Sequence, residues 1–421
     1  MTRRFWVLVH RYAGLYLAGV LIVAGLTGSI LAFDAQISRW LNPGLMQVPV
    51  QARPMLDPFT LRERALAIEP RARINFVPLN NHPGEVYYFG LEPRLDPASG
   101  RPFDLGYEGL YLNPYTGEEM GREKDIGLWP VNRKNFTRFV FALHYSLAAG
   151  ETGRWLFGLA ALVWTVDCFV GFFLTWPRRQ PARVGAVPAV SPVRKAWLAR
   201  WLPSWRFVWR GRPYRINFNL HRATGLWTWV LLFIFATSSV CFNLPEVYGP
   251  VMNRVFLMPD VRGSLPDLPQ PAPDPGLDWR EAAIIGERLT AQQATLHGFK
   301  PRPAHGTVWF YYDPVKGLFS YPAHSDLDVG YHYAGTTVFF DGKTGEFRGI
   351  QFASGHNAAA TFTTWVSGIH NCTIGGFPMQ IVVSLTGLVV AMLSGTGVYL
   401  WWRKRRTVGP VPPARGATLS S

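Results

Sequence analysis

The chain has 421 residues, of which 48% are hydrophobic, 14% aromatic and 16% charged, and its formal net charge is +15. Soluble domains carry about 25% charged residues, so this composition excludes a disordered chain and argues against a single soluble domain. Three cysteines exclude a disulfide scaffold, and their spacing offers no Cys-x-x-Cys metal motif.

Four apolar segments are long enough to cross a bilayer as helices, which takes about 20 residues each. The predicted spans cover residues 5–33, 155–176, 220–244 and 379–402. The first segment is too long for a signal peptide, and no clear small-x-small cleavage site follows it, so we expect an anchor. A surface helix is predicted before the second and the fourth span, which gives segments 137–176 and 367–402.

The distribution of charge indicates the orientation of these spans. Residues 177–219 carry ten Arg and Lys and no acidic residue, and the 403–421 tail begins with four basic residues. By the positive-inside rule this linker, this tail and the N-terminus are cytoplasmic. Residues 34–136 and 245–366 hold 25 of the 27 acidic residues and are expected outside the cytoplasm. The positive charge therefore indicates bacterial inner-membrane topology and contact with anionic lipid, and not nucleic-acid binding.

Each acidic segment has the pattern of an α+β domain resembling the other. A helix is predicted over 58–68 and again over 279–291, followed by strands at 86–89 and 109–112, and then at 308–312 and 337–340. Residues 113–117 and 341–345 have the composition of turns. Residues 259–278 are rich in Pro and Asp and are expected to form a loop.

The chain also repeats itself. A shift of 211 residues aligns His10 with His221, and a shift of 226 residues aligns His144 with His370. The repeated pattern is a helix, an external domain and a second helix, used twice in the same orientation. The predicted fold class is therefore a membrane α+β protein with four transmembrane helices in a tandem parallel repeat and two extracytoplasmic α+β domains.

The four repeated histidines are the candidate site. His10 and His221 lie at the start of the first and third spans, near the cytoplasmic face, and His144 and His370 precede the second and fourth spans. Two histidines at each of two levels would suit two bis-histidine haems stacked across the membrane. A single interfacial histidine is more often a hydrogen-bonded or lipid-facing residue, and duplication copies structural residues as well. Ionisable residues in spans nevertheless tend to be functional.

Small residues near the ends of the spans would leave room for a flat macrocycle, but they suit close helix packing equally well. They are Gly14, Gly25, Gly28, Gly225, Ser238, Ser239, Gly395 and Gly397. His144 stands 11 residues before Trp155 and His370 stands 11 residues before Ile381, about 16 Å along a continuous helix. Glycine-rich breaks at 149–153 and 375–378 therefore predict that each rides on a short surface helix.

Three further features are open to more than one interpretation. Asp167 lies inside the second span, where it could relay protons, pair with an arginine or bond to a Ser or Thr of a neighbouring helix. Cys241 and Cys372 could form a disulfide, although spacing cannot decide this. Trp197, Trp201, Trp205 and Trp209 recur every four residues and predict one helical face in the lipid interface.

Several of these segments resemble the PepSY-associated transmembrane family, or iron-regulated membrane proteins. The segments His10–Leu15 and His221–Leu226 resemble its first-helix signature, and Gly171–Arg179 and Gly397–Arg405 resemble its helix ends. Residues 111–118 are similar to the strand–turn end of a PepSY domain, and residues 339–346 form a second copy with Asp341-Gly342-Lys343 in place of Asn113-Pro114-Tyr115. This departure implies that the two external domains differ in role.

The family includes inner-membrane ferric-siderophore reductases of the FoxB type, which are di-haem proteins. The resemblance therefore implies two haems b, with iron held by His10, His221, His144 and His370. It implies a haem-dependent oxidoreductase that reduces a periplasmic ferric siderophore or other ferric chelate and releases Fe(II).

The sequence contains no Gly-x-Gly-x-x-Gly, Walker A, His-Glu-x-x-His or Gly-x-Ser-x-Gly motif. Electrons are therefore expected from a separate carrier, either quinol in the bilayer or a cytoplasmic reductase. The alternative function is a non-redox, membrane-anchored PepSY module that binds a peptide or protein. A third possibility, transport of the chelate through the helices, fits poorly with four spans that contain few charges.

Overall fold

The computed structural model describes residues 2–123, 128–177, 197–303, 308–330 and 335–406. Residues 178–196 of the basic linker and residues 407–421 of the C-terminal tail, both predicted to be cytoplasmic, lie outside these ranges. The chain divides into two compact units. The helical unit comprises residues 1–29, 143–243 and 384–421, and the sheet unit comprises residues 30–142 and 244–383.

The helices of the described residues are numbered here in chain order. They are α1 (Arg3–Leu31), α2 (Asp34–Leu41), α3 (Pro43–Met46), α4 (Pro58–Ile68), α5 (Phe136–Ser146), α6 (Gly150–Leu174), α7 (Trp197–Trp201), α8 (Pro213–Trp227), α9 (Trp229–Asn243), α10 (Pro245–Phe256), α11 (Val261–Ser264), α12 (Trp279–His297), α13 (Ala358–His370) and α14 (Gly376–Arg406).

Three of these helices, α1, α6 and α14, are long and apolar enough to cross a membrane. They correspond to the predicted first, second and fourth spans. Large apolar side chains stay exposed along two of them, as expected for helices that face lipid: Leu156 is 47% exposed, Val166 57% and Leu385 57%.

The predicted third span is not one straight helix. Helices α8 and α9 meet at a break with a bend of 70°, and they reach the length of a span only as a pair. The Thr228 hydroxyl at the break donates to the carbonyl of Thr224 at 2.8 Å, a bond that bends helices. Helix α8 also carries Arg215, Asn219 and Arg222, which are costly in hydrocarbon, so the apolar part of the pair is mainly α9.

Within the helical unit, α1 and α14 cross with their backbones in contact. A Cβ added to Gly25 would lie 2.4 Å from the carbonyl oxygen of Gly387, and the reverse contact is equally short. The hydroxyl of Ser29 donates to the carbonyl of Ser384 at 2.8 Å, and the hydroxyl of Ser384 donates back to Ser29 at 3.0 Å. Gly25 thus serves helix packing, one of the two roles expected of the small residues.

The tryptophan segment departs from the predicted continuous helical face. Helix α7 ends at Trp201, a 3₁₀ turn follows to Trp205, and Trp209 lies beyond both. Pro203 lies inside that turn and has no N–H to continue the helix. The first three rings still form a chain, with Trp201 5.1 Å from Trp197 and 5.3 Å from Trp205 between ring centres.

The strands lie in the sheet unit and are also numbered in chain order. They are β1 (Ala72–Arg73), β2 (Phe76–Pro78), β3 (Tyr87–Gly90), β4 (Glu92–Pro93), β5 (Gly109–Leu112), β6 (Glu119–Glu123), β7 (Trp309–Asp313), β8 (Leu318–Ala323), β9 (Thr336–Asp341) and β10 (Phe347–Gln351). They form an antiparallel five-stranded sheet in the order β10-β9-β8-β7-β2, a three-stranded sheet β3-β5-β6 and the pair β1-β4.

The two acidic segments share the larger sheet. Strand β2 of the first segment pairs with β7 of the second, with Phe76 opposite Tyr311. Arg94 of the first segment also forms a bidentate ion pair with Asp274 of the second, at 2.8 and 3.0 Å. The sequence pattern predicts two separate domains over 34–136 and 245–366. In the structure both segments belong to one compact unit.

The two predicted turns have the same geometry despite their different residues. The side-chain oxygen of Asn113 accepts from the backbone N–H of Tyr115, and that of Asp341 accepts from Lys343, both at 2.9 Å. Gly117 and Gly345 close the turns with φ of 72° and 74°, values that favour glycine.

Candidate functional site

His10, on α1, is held by the intramembrane carboxylate. Its Nδ1 lies 3.0 Å from Oδ1 and 2.9 Å from Oδ2 of Asp167 on α6. The side chain of Asp167 is only 10% exposed, against 34% for His10. Among the described residues the partner of Asp167 is therefore His10, a candidate ligand, and not one of the Arg, Ser or Thr partners that the sequence allowed.

His221, on α8, meets uncharged acceptors on α14. Its Nδ1 lies 3.1 Å from the carbonyl oxygen of Leu393 and 3.0 Å from the hydroxyl oxygen of Thr396. A backbone carbonyl can only accept a hydrogen bond, so Nδ1 of His221 carries the proton. The lone pair is then on Nε2, which is the form of imidazole that binds a metal.

His144, near the end of α5, has a third arrangement of the same kind. Its Nδ1 lies 3.1 Å from the carbonyl oxygen of Ala24 and 3.1 Å from the hydroxyl of Thr27, both on α1. The carbonyl again requires the proton on Nδ1 and leaves Nε2 unprotonated. Metal-binding histidines usually donate their other ring N–H to a carbonyl or carboxylate in this way.

A glycine lies beside each of the three rings. A Cβ added at Gly171, Gly397 or Gly28 would approach Cε1 of His10, His221 or His144 to 3.4, 3.5 and 2.9 Å respectively. In each case the acceptor stands four residues before the glycine, so both lie on the same helix face. We call this arrangement an acceptor–glycine turn; the three turns are Asp167–Gly171, Leu393–Gly397 and Ala24–Gly28.

His10 and His221 face each other across the helical unit. Their ring centres lie 6.1 Å apart, with 64° between the ring planes. Two imidazoles that bind one metal ion from opposite sides at about 2 Å would have centres roughly 6 Å apart. In the described part of the chain, the hydrogen bonds of both rings run through Nδ1, which leaves both Nε2 atoms available. These two residues could therefore hold one metal ion between them.

Open space lies one helical turn from each of these ligands. Among the described residues, no atom comes within 4 Å of a Cβ built on Gly14 or Gly225, apart from their own helix and chain neighbours. These glycines stand four positions after His10 and His221, on the same helix faces as the ligands. A flat macrocycle bound by the histidines would need room at this place. Leaving such room is the second role that the sequence analysis gave to the small residues, beside helix packing.

His370 is the last residue of α13 and belongs to the sheet unit, whereas His144 belongs to the helical unit. Each lies on a short helix before a long one, as the glycine-rich breaks predict. Leu147 and Ala148 follow α5 with positive φ, and Cys372 and Gly375 do so after α13. The pairing of His144 with His370 stays a prediction.

The remaining polar candidates give no further metal site in the described residues. No group of three or more His, Cys, Asp or Glu side chains there could hold a metal ion. None of the three cysteines forms a disulfide, so the structure contains no Cys241–Cys372 bond. His324 is buried, with its Nδ1 3.3 Å from Oδ2 of Asp328. His305 and His332 lie outside the described ranges.

Sequence reasoning missed the partners of the histidines. Thr27 and Thr396 were not singled out, nor was the link between His10 and Asp167. A Thr-Gly pair recurs at 27–28 and 396–397, and this repetition was the available signal. The contacts themselves depend on how the helices cross, which no local pattern reveals.

Comparison with known proteins agrees with the resemblance in the sequence. No curated protein matches the chain. The family model described as the PepSY-associated TM region matches residues 7–404, a range that includes all four histidines, Asp167 and the three acceptor–glycine turns. Because the match covers nearly the whole chain, the protein belongs to the PepSY-associated transmembrane family.

Proposed function

We propose that this protein is a di-haem b oxidoreductase of a bacterial inner membrane, which delivers electrons to a periplasmic ferric chelate such as a ferric siderophore. The observation that carries the proposal is the His10–His221 pair, with ring centres 6.1 Å apart. Both rings are held through Nδ1, and both Nε2 atoms are available for iron.

In this proposal His10 and His221 hold an inner haem, and His144 and His370 hold an outer one. Haem b, when bound, supplies one-electron transfer between its ferric and ferrous states. Asp167, Leu393 and Ala24 fix the orientation of His10, His221 and His144 through Nδ1. Gly14 and Gly225 leave open the space beside the inner ligands.

An apolar cluster of the helical unit lies next to one of the proposed inner ligands, His221. Buried Cys168, Leu232, Ala236 and Val390 form an apolar cluster with Leu393, whose carbonyl faces His221. Low polarity around a ligand pair is one of the means by which a protein sets a reduction potential. A large hydrophilic chelate cannot enter this apolar interior, so it would approach the outer pair.

The proposed reaction is balanced in electrons. One electron converts one Fe(III) chelate into its Fe(II) form, which hard oxygen ligands bind far more weakly, so iron is released. A quinol oxidised to quinone gives up two electrons and two protons and would reduce two chelates. A cytoplasmic reductase is the other donor class. The siderophore as acceptor rests on the family likeness alone.

The test is stopped-flow oxidation of the dithionite-reduced protein by a panel of ferric siderophores. We expect reoxidation of the haem absorbance together with formation of trapped Fe(II). The variant His370→Ala should abolish fast reoxidation while its inner haem can still be reduced by dithionite. Exposed His82, replaced by Ala, is the matched control. Stable reduced haem in the presence of every chelate would contradict the proposed acceptor, and colourless protein would favour a non-redox binding module.

A further inference from the structure

The two candidate ligands of the inner haem differ in the charge of their hydrogen-bond partners. His10 meets the carboxylate of Asp167, whereas His221 meets a backbone carbonyl and a hydroxyl. We propose that Asp167 is a positioning residue that holds His10 and lowers the reduction potential of the inner haem. This inference rests on the proposed function, since it concerns the group that His10 and His221 would bind.

The geometry allows Asp167 to fix the orientation of the His10 ring. Both carboxylate oxygens lie within 3.0 Å of the same nitrogen, Nδ1 of His10. The Asp167 side chain is only 10% exposed, and the ring of His221 faces that of His10 at 6.1 Å between centres. The bond fixes which nitrogen carries the proton and turns Nε2 away from Asp167.

Among the described residues, no Lys or Arg side chain forms an ion pair with Asp167. In the part of the chain that the structure describes, its only ion-pair partner is His10. In a region of low dielectric constant a nearby negative charge acts strongly, and it opposes the addition of an electron to the iron. Hydrogen bonds to an axial ligand and burial are both established means of setting haem potentials.

The other acceptor–glycine turns lack such a charge. Leu393 takes the place of Asp167 in the turn below His221, and Ala24 takes it in the turn below His144. Of the three acceptor–glycine turns, only the one that contacts His10 therefore carries a carboxylate, and His10 belongs to the proposed inner ligand pair. A lowered inner potential favours movement of electrons from the inner to the outer site, which is the direction that reduction of an external chelate needs.

The experiment is a potentiometric titration of the full-length protein in detergent, fitted with two one-electron components. The component that disappears in His10→Ala identifies the inner haem. The variants are Asp167→Asn, which removes the charge, and Asp167→Glu, which retains it. The matched control is Thr396→Val, which removes an uncharged hydrogen bond from His221. Leu393→Asp adds a carboxylate at the equivalent position.

In Asp167→Asn we expect the reduction equilibrium of the inner haem to shift at least tenfold toward the reduced form. For one electron this is a rise of about 59 mV in the reduction potential. Asp167→Glu should recover part of this shift, and Thr396→Val should change the equilibrium less than threefold. An unchanged inner potential in Asp167→Asn, with both haems bound, would overturn the inference and leave the proposed function intact. If Asp167→Asn loses the inner haem, the Leu393→Asp variant provides the test. Its added carboxylate should lower the reduction potential of the inner haem, and an unchanged or higher potential would overturn the inference. Wild-type protein without haem would overturn both.

Discussion

The rings of His10 and His221 lie 6.1 Å apart between centres, and each is fixed through Nδ1 by a different neighbouring helix. The two histidines come from the beginnings of the two halves of the chain. Their Nε2 atoms are the nitrogens left for a ligand. This relationship connects the repeated histidines of the sequence to the proposed chemistry.

Replacing His10 by Ala should remove the inner haem and leave the outer one. In the proposed function His10 would hold the inner iron together with His221, whereas His144 contacts a different turn, Ala24–Gly28. Haem per chain should fall by about half, measured by absorbance after extraction, and His221→Ala should behave alike. Loss of both haems from a folded His10→Ala protein would contradict the proposed pairing.

Filling the space beside His10 should block haem binding without unfolding the protein. Gly14 has open space at its Cβ position, so Gly14→Leu would place a branched side chain where the proposed haem would need room. Gly19 lies on the same helix, is exposed and is equally uncrowded, so Gly19→Leu is the matched control. We expect the inner haem to be lost only in Gly14→Leu, while both variants keep the wild-type helix content by circular dichroism. Full haem content in Gly14→Leu would place the cofactor elsewhere.

Acid should weaken the sheet unit through Glu69. Arg71 donates two hydrogen bonds of 2.8 Å to this buried carboxylate and Tyr107 donates one of 2.7 Å, and these partners lower the pKa of Glu69 to about 2. A lowered pKa in the folded state stabilises the fold above the ordinary value of 4.5, and this contribution is lost as the pH falls toward 2.

The corresponding variant is Glu69→Gln, which should lower the free energy of unfolding by roughly 2 kcal/mol at neutral pH. The difference from wild type should shrink as the pH falls from about 4.5 to 2. Thermal unfolding followed by circular dichroism checks this. Glu63 is exposed on the neighbouring helix α4, so Glu63→Gln is the control. A difference that does not change with pH would refute the role of the carboxylate.

The sheet unit should be reachable from outside the cell membrane. Ala98 and Gln292 are exposed positions of the two acidic segments, and each can be replaced by Cys in a chain without native cysteines. A membrane-impermeant maleimide should label both in intact spheroplasts. Labelling only after lysis would reverse the orientation and with it the direction of electron flow. Gly117 and Gly345 are unsuitable sites because their positive φ requires glycine.

The apolar lengths and the turn residues could be read from the sequence. Spans corresponding to α1, α6 and α14, the helix α4 and the strand Gly109–Leu112 were predicted, because each depends on local composition and periodicity. The sequence did not reveal the helix break at Thr228. The end of α8 and the whole of α9 together have the length and hydropathy of one span, so they were predicted as a single helix.

The site itself was only half predictable. Duplication identified the four histidines, but it could not show that Asp167 meets His10 or that strand β2 joins the sheet of the second segment. Both contacts arise from residues far apart in the chain. Their formation depends on helix crossings and strand pairing, which tertiary packing determines.

The central claim is that this chain binds two haems b through paired histidines. The most direct measurement is the haem content of wild-type protein purified from haem-replete cells, by the pyridine haemochrome assay together with electron paramagnetic resonance. The account predicts about two b-type haems per chain, both low-spin with two axial histidines. Colourless, folded protein from such cells would contradict it.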